Sequence, residues 1–208
     1  EMLTKLGKVT GDLVIDNMKT NIDNADYSGT IGLEKFDLGT FTNQKDFGKI
    51  TTTVDVEGKG FTQKYLNTSF SGDVKEIYYN GYNYTNIIVD GHFKKPYFNG
   101  KVDVNDPNLL LKFDGIVDLG KRANLYDFNA DVGYANLEKL NFIKNETSIF
   151  KGKIHSKVSG TNLNNLTGNI YVNNVSYQNS KDTYHFEDLT LNSSFNAQNE
   201  RNIVLSTP

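Results

Sequence analysis

Apolar and polar residues alternate with a period of two along most of this chain. In the stretch NLLLKFDGIVDLG (residues 108–120), odd positions are apolar or glycine and most even positions are polar. Because successive side chains of a strand point to opposite faces, this alternation predicts a strand with one apolar and one polar face. Similar segments recur throughout the chain and predict about a dozen strands.

Turn sequences separate these segments, among them Asn80-Gly81 and Asn173-Asn174. Long strands joined by tight turns favour an antiparallel meander. The apolar phase shifts after Tyr84 and again after Phe186, and such a shift predicts a β-bulge. The one helix-like segment, residues 135–140, is short. The chain is therefore predicted to be all-β.

The apolar positions of the predicted strands should form one face, which is the candidate binding surface. Its residues are Leu13, Ile15, Ile50, Val54, Ile77, Tyr79, Ile87, Val89, Phe98, Val102, Val104, Leu109, Leu111, Phe113, Val117, Phe128, Val132, Ile154, Val158, Ile170, Val172, Phe186, Leu189 and Leu191.

Glycines interrupt this apolar phase repeatedly. A glycine inside a strand is costly because it orders more backbone and packs no side chain. It is useful where a sheet bends sharply or must leave its concave side open. Close-packing glycines in an ordinary sandwich are the alternative. The candidate bending residues are Gly11, Gly48, Gly100, Gly115, Gly152 and Gly168.

Short sequences recur along the chain at a constant offset. LEK occurs at 33–35 and 137–139, and GKI occurs at 48–50 and 152–154. We therefore predict strands of an upstream repeat in residues 1–30, one repeat unit in 31–134 and a partial unit in 135–208. Chance similarity between Asn-rich strands is the alternative. We also expect the chain to be a segment of a longer protein.

Composition narrows the chemistry further. The chain has 208 residues, a formal net charge of -3 and no Cys. This charge does not favour a nucleic-acid partner, and the absence of Cys excludes thiolate catalysis. His92, His155 and His185 are isolated, and the oxygen-rich DVNDPN (103–108) is read as a turn rather than a calcium loop. We expect no enzyme activity, no metal and no cofactor.

The run EIYYNGYNYTNIIVDGHFKKPYFNGKVDVNDPNLLLKFDGIVDL (76–119) resembles repeats of the TamB (translocation and assembly module) family in versions from Bacteroidota. YANLEKLNF (134–142), FKGKI (150–154) and SYQNSKDTYHFEDLTLNSSF (176–195) extend the resemblance, which covers most of residues 30–205.

The resemblance implies an AsmA-like periplasmic segment whose parent chain is anchored in the inner membrane. Such chains reach an outer-membrane barrel of the TamA or BamA type. Their repeats form an elongated, strongly curved antiparallel sheet, a half-open apolar trough called a β-taco. The implied function in outer-membrane biogenesis is passive phospholipid transport between the two membranes along this hydrophobic groove.

Other readings remain open at this point. The segment could assist outer-membrane protein assembly by templating nascent strands at its sheet edges. It could also be a closed β-sandwich of adhesin type, or a β-helix. A trough leaves its apolar face partly accessible, whereas a sandwich closes it.

Overall fold

The computed structural model describes residues 1–17, 24–62, 65–94, 96–120, 123–161 and 164–207. Residues 18–23, within the predicted upstream segment 1–30, lie outside this description. Contacts divide the chain into two compact units, Glu1–Pro107 (unit 1) and Asn108–Pro208 (unit 2). Each unit is an antiparallel sheet in which successive strands are neighbours, so the predicted all-β fold class is confirmed.

Unit 1 contains seven strands and one short helix in the described residues. The elements are β1 (Met2–Thr4), β2 (Gly7–Asp16), β3 (Asp26–Asp37), α1 (Leu38–Thr42), β4 (Phe47–Lys59), β5 (Asn67–Tyr79), β6 (Tyr82–Lys94) and β7 (Tyr97–Asp106). Each strand pairs antiparallel with the next. No pairing joins β1 to β7 among the residues described, so the sheet of this unit is open.

Unit 2 contains six strands in its described part. They are β8 (Leu109–Asp118), β9 (Asn124–Asn136), β10 (Ser148–Gly160), β11 (Thr167–Asn179), β12 (Thr183–Phe195) and β13 (Arg201–Ser206). These strands also pair antiparallel in chain order. The consecutive antiparallel pairing excludes a β-helix, whose rungs pair in parallel.

Strand contacts within each unit are organised as a single layer. The extensive contacts between described elements join strands adjacent in sequence, and α1 contacts β4. A sandwich would instead need a second sheet facing the first. The open meander therefore fits the predicted trough rather than the alternative sandwich.

A line of β-bulges crosses the strands of each unit. In unit 1 it passes through Lys35 and Asn86, which have φ angles of 48° and 54°. In unit 2 the register shifts between Leu110 and Leu111, and Asn174 has a φ of 52°. An extra residue at each bulge bends the strand and reverses its apolar phase. The phase reversals predicted after Tyr84 and Phe186 are seen at Asn86 and Glu187, where the β5–β6 and β11–β12 ladders each skip one residue on both strands and keep their register.

Two glycines on the apolar face stand where neighbouring backbones come unusually close. A Cβ added to Gly100 would lie 2.5 Å from the Cα of Gly91 on β6. Gly168 has a φ of 123°, and its added Cβ would lie 2.9 Å from the Cα of Val158 on β10. No side chain fits at either position without moving a strand. That the six candidate glycines bend the sheet stays a prediction.

Gly48 does not lie on the apolar face, and its assignment to the apolar phase is wrong. A Cβ built on Gly48 would lie 2.7 Å from the ring of Tyr78, which is exposed on the opposite face. The physical reason is the register shift between Phe47 and Ile50, which separates Gly48 from the phase of Ile50.

One further expectation differs from the structure. The helix-like segment 135–140 ends β9 and continues as a turn, while the described helix is α1. The two compact units meet between Pro107 and Asn108. The repeat unit predicted in 31–134 and the partial unit predicted in 135–208 stay a prediction.

Candidate functional site

Strand register brings the predicted apolar residues onto one face of each sheet. Residues paired directly across an antiparallel ladder project to the same side. Leu13 of β2 pairs with Gly29 of β3, Gly29 pairs with Val56 of β4, and Val56 pairs with Phe70 of β5. We call the side that carries these residues the apolar face and the other side the polar face.

The apolar face is most buried along the bulge line. In unit 1 the buried residues Ile50 and Tyr84 lie on one side of this line, and Val74, Ile87 and Val104 lie on the other. A flat single-layer sheet offers no second layer to bury such residues. Their burial therefore reflects a sheet that bends toward its apolar face, so that side chains on both sides of the line converge.

Beyond this buried strip, the apolar side chains of unit 1 are half-buried. They form cross-strand rows to which β2 through β7 contribute. We call these rows track 1, and its side chains are Leu13, Ile31, Val54, Val56, Phe70, Val89 and Val102. The track runs perpendicular to the strands, so its length is set by strand number rather than by strand length.

Unit 2 repeats this arrangement with larger side chains. Its half-buried rows lie beyond the bulge line at Gly133 and Asn174. We call them track 2, and its side chains are Phe113, Phe128, Ile154, Val172, Ile170, Leu189 and Leu191. The rings of Phe113 and Phe128, the two aromatic side chains of the track, lie 5.2 Å apart.

Register places the 24 predicted face residues on the apolar face, but their surroundings differ. Leu13, Val54, Val89 and Val102 belong to track 1, and Phe113, Phe128, Ile154, Ile170, Val172, Leu189 and Leu191 belong to track 2. Ile50, Ile77, Tyr79, Ile87, Val104, Leu109, Leu111, Val132 and Phe186 flank the bulge lines. Ile15, Phe98, Val117 and Val158 lie at the opposite ends of the strands. Phe186 is 42% exposed although it pairs with the buried Val175.

The predicted glycines are likewise distributed among these rows. Gly11 falls in the row of Ile31, and an added Cβ there would meet only ordinary van der Waals contacts. Gly115 pairs with Phe128 and Gly152 with the buried Val132. Gly100 and Gly168 lie where backbones approach closely.

An aromatic cluster closes the apolar face of unit 1 beyond the bulge line. The rings of Tyr82 and Tyr84 are 4.8 Å apart in an edge-to-face arrangement. Burial, reinforced by Tyr79, Tyr82 and the charge of Asp106, raises the pKa of Tyr84 to about 12. Tyr84 is 7% exposed, and its neighbours Tyr79 and Tyr82 are half-buried.

Asp106 is a buried carboxylate within this cluster, and sequence reasoning missed it. The residue is 2% exposed. One carboxylate oxygen accepts a hydrogen bond from the Tyr82 hydroxyl at 2.7 Å, and the other accepts from the backbone N–H and the hydroxyl of Thr85 at 2.9 and 2.8 Å. These donors satisfy the carboxylate. Asp106 is therefore held as a structural group and not as an oxygen ligand of a calcium loop.

The polar face carries cross-strand pairs of charged and polar side chains. Lys59 lies 3.1 Å from Asp26, and Lys153 lies 3.7 Å from Asp131. The amide of Asn17 and the ammonium of Lys59 lower the pKa of Asp26. Exposed pairs of this kind contribute little stability each, but they keep the face hydrated and limit edge association.

The three histidines lie on the polar face. No group of three or more His, Asp or Glu side chains among the residues described could hold a metal ion. His92 contacts the hydroxyl of Ser69 at 3.2 Å, and His155 contacts the side-chain oxygen of Asn129 at 2.8 Å. His185 is exposed on β12.

Arg201 is a second polar residue on the apolar face that sequence reasoning did not identify. It pairs with Phe195 on β12, in the same phase as Ser193 and Leu191. Its Nε donates to the hydroxyl of Ser193 at 3.1 Å. Arg201 is placed on the apolar face by the register between β12 and β13, and this register cannot be read from composition or spacing.

No family model, curated protein or solved structure matches this chain. Within the described residues, no helix is both long and apolar enough to cross a membrane.

Proposed function

We propose that this chain is a periplasmic segment of a TamB-like protein and passively conducts phospholipid between the inner and outer membranes. One observation carries the proposal. Each unit presents half-buried apolar side chains in cross-strand rows interrupted only by small residues, and its other face carries charged and polar side chains together with exposed apolar ones such as Val14, Ile88 and Leu110. Acyl chains need a continuous dry surface, and each buried CH₂ group contributes about 0.8 kcal/mol.

The geometry suits a mobile cargo rather than a fixed ligand. Tracks 1 and 2 consist of aliphatic and aromatic side chains with few hydrogen-bonding groups. Binding by water exclusion is non-directional, so a chain sliding along a row exchanges one methylene contact for another at little cost. Under this proposal the segment hydrolyses nothing and uses no cofactor.

Under this proposal, the membrane anchor and the contact with the outer membrane belong to the parent protein. On the TamB-like reading, the parent chain is anchored in the inner membrane and reaches a TamA- or BamA-type barrel in the outer membrane. These partners and the periplasmic location are part of the proposal and rest on the sequence resemblance.

Photo-crosslinking in cells tests the proposal directly. A photoreactive amino acid at Phe113 or Val102, on the tracks, should capture phospholipid. The same group at Lys112 or Asp103, the adjacent exposed residues on the polar face, should not. Equal capture at all four positions, or capture at none, would contradict lipid binding on the apolar face.

A charged substitution on the apolar face tests whether transport can be lost while the fold is kept. Leu111→Asp should block phospholipid transfer while leaving the strand content of the protein measured by circular dichroism, because Leu111 is only half-buried. Lys112→Asp, one residue away, should leave transfer intact. Unfolding of the Leu111→Asp protein would point instead to a closed core, because a charge buried there would be uncompensated.

A further inference from the structure

The guanidinium of Arg201 lies at the outer end of the apolar face of unit 2. Arg201 opens β13, and its neighbours in phase along that strand are Ile203 and Leu205, which are 52% and 61% exposed. Leu205 pairs with Leu191 of track 2. Arg201 therefore lies on the same face as Leu205 and four residues before it, which is about 14 Å along an extended strand.

The protein fixes the orientation of this group without neutralising it. The Arg201 Nε donates to Ser193 Oγ at 3.1 Å, and one terminal nitrogen donates to the backbone oxygen of Leu166 at 3.4 Å. Ser193 is itself buried and donates to the same Leu166 oxygen at 2.6 Å. Both contacts of the guanidinium are with uncharged groups, and no carboxylate oxygen in the described residues lies within ion-pair distance.

Donors remain available on the guanidinium. Arginine has five N–H groups, and these two hydrogen bonds use two of them. A planar guanidinium matches the oxygens of a phosphate, and it is less strongly hydrated than an ammonium group. The positions of an oriented cation and a nearby hydrocarbon surface complement the two parts of a phospholipid.

We infer that Arg201 binds the phosphate of a diacyl phospholipid whose acyl chains lie on track 2. The inference rests on the proposed function and adds a headgroup site to it. Arg201 is a binding residue under this inference: it holds the phosphate at the rim of the face while the acyl chains contact Leu191 and Ile170. Lipid that lacks the phosphate occupies the same track without this contact.

Binding of short-chain lipids to the purified chain tests the assignment. The probes are a phosphatidylglycerol and a diacylglycerol with the same acyl chains, both kept monomeric, with backbone amide and arginine Nε–H signals followed by NMR. The wild-type chain should bind the phosphatidylglycerol about tenfold more tightly, because a charge-assisted hydrogen bond to phosphate is lost with the diacylglycerol. The Arg201 Nε–H signal should shift with the phosphatidylglycerol only.

Three variants separate the headgroup site from general charge effects. Arg201→Gln should remove the tenfold preference and leave diacylglycerol affinity unchanged, whereas Arg201→Lys should keep part of it. Lys181→Gln removes the same charge from an exposed turn of unit 2 and should keep all of it. A full preference in the Arg201→Gln protein would overturn the inference while leaving the proposed function standing.

Two other outcomes also decide the matter. Inorganic phosphate that shifts the Arg201 signal at the same concentration as the lipid would assign the site to free phosphate and overturn the headgroup inference. Failure of the wild-type chain to bind either lipid would overturn the proposed function itself, and the inference with it.

Discussion

Asp106 shows how a single polar residue can stabilise an otherwise apolar face. Its carboxylate accepts from Tyr82 and from both donors of Thr85, just beside the bulge at Asn86. The ladder between β6 and β7 ends at the pair of Ile87 and Val104, and beyond it the carboxylate provides the Thr85 N–H with an acceptor. In the sequence, Asp106 precedes Pro107 and is typical of a turn, so its role could not be predicted without the fold.

Removing this carboxylate should destabilise unit 1 strongly. Asp106→Ala is expected to lower the free energy of unfolding by about 2 kcal/mol, because it removes the acceptor of the half-buried Thr85 N–H and Tyr82 hydroxyl. Urea denaturation followed by circular dichroism measures the change.

Asp103→Ala provides the control on the same strand. Asp103 is exposed on the polar face, so this variant should stay within about 0.5 kcal/mol of the wild type. Equal stability of the Asp106→Ala and Asp103→Ala proteins would show that the buried carboxylate does not support the fold.

At the scale of the strand, the bulge line is the element that turns a meander into a bent sheet. The sequence predicted two of its positions, because the apolar phase shifts after Tyr84 and after Phe186. The shift between Phe47 and Ile50 was missed, because Gly48 reads as a continuation of the alternation of Ile50 and Val54. Gly48 was therefore assigned to the wrong face. The signal in the sequence was the spacing of three between the apolar residues Phe47 and Ile50.

The left-handed backbone at Asn174 gives a direct test of the bulge line. Asn174 has a φ of 52° and an exposed side chain. Asn174→Val should lower the free energy of unfolding by about 1–3 kcal/mol, because a β-branched residue is strained at this φ. Asn174→Gly should change stability by only a few tenths of a kcal/mol, because glycine adopts this conformation freely.

A matched substitution on the neighbouring strand controls for side-chain effects. Thr190→Val lies on β12 outside the positive-φ positions and should cost less than about 0.5 kcal/mol. Thermal or urea unfolding of the three variants distinguishes the cases. A loss of stability that is the same for Asn174→Val and Thr190→Val would contradict a special backbone at the bulge.

At the scale of the whole chain, an apolar surface continues from strand to strand within each unit. The period-two pattern predicted this surface, since each of the 24 chosen residues lies on the apolar face of its own unit. The pattern could not distinguish the buried residues at the bulge line from the half-buried tracks. Ile87 and Val89 are both apolar and in the same phase, yet Ile87 is buried and Val89 is half-buried.

Locating the acyl chains tests the central claim most directly. The chain would be crystallised with a phospholipid brominated along its acyl chains, and the bromine atoms located by anomalous scattering. The account predicts bromine within about 4 Å of track side chains such as Val54, Phe113 or Ile170, the distance of apolar contact. Bromine confined to the polar face, or bound lipid with no bromine on either track, would contradict it.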